Sequence, residues 1–226
     1  MALLKVNPHH NYQPEDGRYV RGRDSSPVAV VIILNAPAHE VPLEIDRLVS
    51  AGIEGGAALS ETLQTENIGI EKIVCNVVAN PNIRYLIVGG PESEGHLTGE
   101  ALKAFLQNGV DDKRRIIGTN APVPLLLNLP VEYIDRFLTQ VSLVDLQFQK
   151  LETLRTAIRS ACKEKATEFL GHTLFDPGAI NKSPLDGEII WRYVRPWTVS
   201  TDVKEIEARK KVEELIIRLR DKSTRK

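Results

Sequence analysis

Seven consecutive apolar residues, Val28-Ala-Val-Val-Ile-Ile-Leu34, constrain this chain more than any other feature. The run is rich in β-branched side chains and has no polar position, so as a strand it needs cover on both faces. That is the situation of a central strand in a parallel sheet with helices above and below. At seven residues it is far too short to cross a bilayer.

The rest of the first 150 residues repeats the theme. Val41, Ile45, Leu48 and Val49 share a helical face, which the spacing closes at Gly52, and a short strand is expected near Ala57 to Ser60. Between Asn67 and Ala79 the apolar residues Ile70, Ile73, Val74, Val77 and Val78 fall at steps of three and one, which is helical. Thr65 is the expected N-cap and Asn80-Pro81 the stop. Strand Tyr85 to Gly89, helix Ala101 to Asn108 ending at Gly109, short strand Arg115 to Gly118, helix Val131 to Thr139 and strand Val141 to Gln147 follow. Such alternation predicts a Rossmann-like open, mainly parallel α/β sheet of about five strands with helices on both faces.

Three regions are expected. Residues 1–26, with Pro8, Pro14, Gly17 and Gly22 and no periodicity, read as an N-terminal arm, and 27–150 as the Rossmann-like domain. Residues 151–226 read as an appendage made of a helix from Leu151 to Leu170, strands at 172–178 and 188–194, and a charged amphipathic helix from Lys204. Both tryptophans, Trp191 and Trp197, fall in this appendage, which marks it as a surface that packs against something.

Composition narrows the function classes. The 226 residues are 42% hydrophobic and 26% charged, ordinary values for a globular chain. A formal net charge of -1 excludes a whole-molecule nucleic-acid footprint. Two cysteines, Cys75 and Cys162, make no disulfide framework, and Met1 to Asn11 has no h-region of a signal peptide, so a soluble cytoplasmic protein is expected. No GxGxxG, Walker A or GxSxG sequence is present, which removes the usual phosphate-loop and hydrolase readings.

Ligands of open α/β sheets gather at the carboxyl ends of the strands. The loop there with most chemical potential is Gly89-Gly-Pro-Glu-Ser-Glu-Gly-His-Leu-Thr-Gly99, glycine-rich and holding a lone histidine, His96, at the start of a helix that Thr98 is placed to cap. The positive end of the helix favours neutral imidazole, the form that binds metal or accepts a hydrogen bond. Glu94 is the expected partner of the other ring nitrogen. A loop histidine that only stabilises its turn is the plainer reading of the same residue. Thr65, Glu66 and Asn67, at a strand-to-helix turn, can cap a helix or hydrogen-bond a heterocycle.

Several blocks lie in a fixed order: Thr65-Glu-Asn-Ile-Gly-Ile-Glu-Lys72, Asn80-Pro-Asn-Ile-Arg84, Gly95-His-Leu-Thr-Gly99, Asn108-Gly-Val-Asp111, Arg115-Ile-Ile-Gly118 and Asn128-Leu-Pro130. On these, from about Gly17 to Asp145, the chain resembles the corrinoid-carrying subunit of tetrahydromethanopterin S-methyltransferase. The resemblance implies a corrinoid, cobalamin or a related cobamide, with His96 as axial cobalt ligand and catalytic residue. It places Thr65, Glu66, Asn67, Gly69, Gly89, Glu94, Gly95, Leu97, Thr98, Gly99 and Gly118 around the cofactor. It further implies methyl transfer through Co(I) and methyl-Co(III), from methyl-tetrahydromethanopterin to coenzyme M, with partner proteins that deliver and take the methyl group. A ligand that binds methylated cobalt and releases Co(I) could drive a conformational change.

Membrane-bound members of that family end in a transmembrane helix, whereas this chain ends Leu215-Ile-Ile-Arg-Leu-Arg-Asp-Lys, which cannot span a bilayer. A soluble homologue, with its own donor or acceptor, is therefore expected. Two other functions stay open: a non-catalytic partner-binding module on the same fold with the corrinoid site lost or reused, and an α/β enzyme acting on a nucleotide or pterin without cobalt.

Overall fold

The apolar run at 28–33 is the middle of a five-stranded sheet, and every residue of it is buried. The computed structural model describes residues 18–37, 40–164 and Lys210. In chain order its elements are β1 (Tyr19–Arg21), β2 (Val28–Ile33), α1 (Leu43–Glu54), β3 (Leu59–Leu63), α2 (Ile68–Val78), β4 (Tyr85–Gly90), α3 (Thr98–Asn108), α4 (Val131–Gln140), β5 (Ser142–Gln147) and α5 (Leu151–Ala161). The expected strands at 172–178 and 188–194, and the terminal helix apart from Lys210, lie outside the described residues.

Strand order is β1-β3-β2-β4-β5. β2 runs parallel to β3 on one side and to β4 on the other, β4 runs parallel to β5, and only β1 is antiparallel, against β3. The chain steps outward from β2 to β3, then returns past β2 to β4. The reversal falls between β2 and β4, and the loops leaving β2, β3 and β4 share one edge of the sheet.

Alternation along β2 divides the core in two. Ala29, Val31 and Ile33 face α2, α3 and α4, whereas Val28, Val30 and Ile32 face α1 and α5. Burial of each such side chain contributes roughly 1.5–3 kcal/mol for the larger residues, which is why a fully apolar strand is stable only here. Phe105 of α3 and Phe137 of α4, both fully buried, stack with centroids 5.5 Å apart. The open α/β sheet with helices on both faces is thus as the sequence predicts.

Its membership differs in one strand. Arg115 to Gly118 makes only isolated bridges, Val110 with Ile116 and Arg115 with Leu125, and never joins the sheet. The Asp111 carboxylate accepts from the amides of Lys113 and Arg115 and Arg114 is left-handed (φ 64°), so the segment folds on itself. The fifth strand is β1, inside the stretch read as an irregular arm. Three residues are too few to show periodicity, and it is the edge of β3 that orders them.

Helix ends differ as well. Gly52 does not close α1 but lies inside it, where a Cβ would overlap the Ser60 side chain; the helix runs on to Glu54 with Gly55 as C-cap. α5 ends at Ala161 rather than Leu170, and packs against α1 through Leu154 and Ile158.

Candidate functional site

Two loops meet at the carboxyl edge of the sheet. The turn from β3 to α2 is fixed by its own polar side chains: Thr65 Oγ1 accepts from the Gly69 amide at 2.9 Å, and Asn67 Oδ1 from the Ile68 amide at 2.7 Å. Asn67, not Thr65, is the N-cap of α2, and Thr65 satisfies the amide of Gly69, the second residue of the helix. Gly69 leaves room for Leu63 and Thr65, which a Cβ would crowd. With its neighbours so used, Glu66 is free to turn inward, where it is only 2% exposed.

The second loop follows β4. Gly90 and Gly95 have φ of +88° and +87°, and Leu97, left-handed at φ 50°, turns the chain into α3. His96 stands on this loop with its side chain 53% exposed, and its Nδ1 lies 2.8 Å from Oε2 of Glu66. Oε1 of Glu66 accepts from the Val123 amide at 3.0 Å, so one buried carboxylate ties together the β3–α2 turn, the histidine loop and the segment between α3 and α4.

The chemistry of His96 follows from that contact. Facing a carboxylate acceptor, Nδ1 carries the proton of the neutral ring, which leaves the Nε2 lone pair as the basic position. A buried carboxylate behind the imidazole fixes its tautomer and ring orientation, which presents Nε2 to a ligand. Glu94, expected to do this, is exposed; the residue that does it is thirty positions earlier in the chain.

Capping of α3 also differs from the expectation. Thr98 is the first helical residue, fully buried, and its Oγ1 has no partner. The helix end is held by Glu92, whose Oε1 accepts from the Ser93 and Gly99 amides at 2.8 Å and whose Oε2 accepts from the Glu100 amide at 2.9 Å. Gly99 is needed because a Cβ there would overlap the side-chain amide of Gln147. Glu100 in turn accepts from the Thr119 hydroxyl at 3.1 Å and the Asn120 amide at 2.5 Å, fastening the segment that carries Val123.

Of the residues named from the sequence, Glu66 and His96 meet directly, Thr65, Asn67 and Gly69 build the turn beneath Glu66, and Gly95, Leu97 and Gly99 shape the histidine loop. Gly89 sits in the core below Leu154 and Ile32, and Gly118, at φ +81°, packs against Asn108. Glu92, Val123 and Gln147 were not legible. A carboxylate that caps a helix from seven residues upstream follows no capping spacing, and Val123 contributes only its backbone.

Fold and site together define an open, doubly wound α/β protein with a single-histidine site at the carboxyl edge of its sheet. The model of the MtrA family, the A subunit of tetrahydromethanopterin S-methyltransferase, matches residues 5–189, further in both directions than the blocks in the sequence reach. The chain belongs to that family of methyltransferase subunits. Two forms of the A subunit occur among its relatives. The chain is 42% identical over 178 residues to form 2 from Methanothermobacter marburgensis, covering 76% of this chain and 85% of the relative. It is 36% identical over 183 residues to form 1 from Methanothermobacter thermautotrophicus, covering 80% and 68%. To the A subunit of the Methanosphaera stadtmanae methyltransferase it is 44% identical over 137 residues, covering 60% and 51%. No helix among the described residues is long and apolar enough to cross a membrane.

Proposed function

We propose that this chain is the corrinoid-carrying component of a methyl-transfer reaction, with Nε2 of His96 offered to cobalt. The observation that carries the reading is the 2.8 Å contact between His96 Nδ1 and the buried Glu66 carboxylate, with the imidazole itself half exposed. Among the described residues no group of three or more His, Cys, Asp or Glu side chains could hold a metal ion. A protein-chelated zinc needs three or four such ligands, whereas one oriented imidazole would suit a metal carried in a macrocycle of its own. A cobamide of that kind, when bound, supplies the nucleophilic and methyl-carrying cobalt chemistry.

The residues of this chain then have defined tasks. His96 offers one nitrogen at the edge where ligands of such sheets bind, and Glu66 keeps the proton on the other. Thr65 and Asn67 hold the turn that keeps Glu66 buried. The relatives' names point to a reduced pterin as methyl donor, and coenzyme M is the acceptor the resemblance implies; partner subunits would present both. We place this work in the cytoplasm, with which two cysteines outside any disulfide, Cys75 and Cys162, are compatible.

The test is a titration of the full chain with cob(III)alamin, followed by its visible spectrum and repeated with His96→Ala. Stoichiometric uptake with a spectrum that changes in the variant is the expected result. His96→Ala removes the donor to Oε2 of the buried Glu66, so the variant should lose about 1–3 kcal/mol, and its melting curve shows that it is folded. Uptake with identical spectra rejects the ligand assignment, and no uptake by folded protein rejects the corrinoid reading in favour of a partner-docking module.

A further inference from the structure

Glu92 makes no contact with the histidine ring, yet its carboxylate closes the loop that carries it. Three backbone amides converge on one side chain, those of Ser93, Gly99 and Glu100, at 2.8, 2.8 and 2.9 Å. The first lies at the start of the loop and the other two in the first turn of α3, so the carboxylate spans the loop from entrance to exit. Inside the closure the His96 and Leu97 amides donate to the Ser93 carbonyl at 3.2 and 2.8 Å, so the histidine sits in a turn with its two ends pinned.

The sequence reserves the usual capping position for something else. Leu97 occupies the N-cap without a side-chain acceptor, and Thr98 is turned inward with its hydroxyl unpartnered. Gln147 approaches the same carboxylate, its Nε2 at 3.5 Å from Glu92 Oε2 and 3.4 Å from the Pro91 carbonyl. An anion held at the end of an eleven-residue helix gains both hydrogen bonds and the helix field. A left-handed leucine at the N-cap carries strain that such a contact can offset.

We infer that Glu92 is a positioning residue for His96: its charge at the start of α3 holds the loop in the one conformation that seats Nδ1 on Glu66 and leaves Nε2 outward. The inference deepens the reading of His96 as a cobalt ligand and takes its functional meaning from it. The geometry on which it stands, from Glu92 through the loop to the His96–Glu66 pair, needs no cofactor.

The experiment therefore has an arm without cofactor and one with it. In the first, NMR of the imidazole nitrogens and carbons of His96 reports the tautomer in Glu92→Gln and Glu92→Asp, with melting curves to confirm folding. Glu92→Gln keeps the volume but places an amino group against one of the amides, and should lower the Nδ1–H population several-fold. Glu92→Asp, which keeps the charge, should recover part of it. In the second arm, cob(III)inamide, which lacks a lower base of its own, is titrated into the same proteins. The histidine-ligated fraction should fall about tenfold in Glu92→Gln, a change of the size that charges at partly buried helix ends produce. A folded Glu92→Gln with unchanged His96 resonances overturns the inference, since Glu92 would then only cap a helix. Unfolding of both variants overturns it as well, because a side chain on which the whole domain depends is not specific to His96. Loss of the tautomer in a protein that takes up no cobinamide keeps the positioning role and rejects the cobalt reading.

Discussion

The carboxylate of Glu66 accepts two hydrogen bonds from parts of the chain that are remote in sequence, and one of them comes from Nδ1 of His96 at 2.8 Å. The pair is asymmetric in exposure, 2% for the Glu66 side chain and 53% for that of His96. A buried acceptor behind an exposed ring is the arrangement by which proteins decide which imidazole nitrogen is presented to a ligand.

Glu66→Gln should separate the two duties of this carboxylate. A glutamine offers one acceptor oxygen where Glu66 serves both the Val123 amide and His96 Nδ1, so one donor loses its partner. We expect a cost of about 1–3 kcal/mol in thermal unfolding and a redistribution of the His96 tautomers, read by imidazole NMR. Unchanged tautomers would show that Glu66 does not control the ring.

Glu61 predicts a pH dependence. It is buried in β3 beneath α2, Asn76 donates to its Oε2 at 2.7 Å, and its Oε1 has no partner. Burial raises its pKa from 4.5 to about 7, against the smaller opposing effect of the Asn76 bond. The unfolded chain releases this proton near 4.5 and the folded one near 7, so the folded state binds more protons in between. Stability from this group is full below pH 4.5, falls as pH rises towards 7, and is flat above. The total is on the order of 3 kcal/mol. Denaturant unfolding across that range should show the decline, and Glu61→Gln should remove it.

Gly99→Ala should be destabilising through Gln147. The new Cβ overlaps the Gln147 amide nitrogen, and overpacking of this kind costs roughly 1–3 kcal/mol. Gln147→Ala empties the same space, so the double variant should be less destabilised than the two single changes added together. Strict additivity of the unfolding free energies would mean that the two residues do not share the site.

Phe137→Ala should cost about 3–5 kcal/mol, because its ring is fully buried and stacked on Phe105 between α4 and α3. Melting curves measure it directly. The fold should survive only if the domain's total stability exceeds that loss.

What could be read from the chain alone is what depends on local pattern. An unbroken apolar run at 28–34 demanded a two-sided core, and the three-and-one spacing of Ile70, Ile73, Val74, Val77 and Val78 demanded a helix; both are present because each pattern has one way to bury itself. His96 was legible as the residue with chemical potential, since a glycine-rich loop at a strand end leads to it. Tertiary structure alone decided what surrounds it. β1 exists because β3 offers an unpaired edge, and Arg115 to Gly118 is no sheet strand because Asp111 takes the Arg115 amide while the Ile116 and Ile117 amides go to the Pro124 and Gly109 carbonyls. Glu66 instead of Glu94 meets Nδ1, and Glu92 instead of Thr98 caps α3. Hydrogen-bond partners thirty residues apart are chosen by which loops the strand order brings to one edge, and no periodicity of the chain encodes that order.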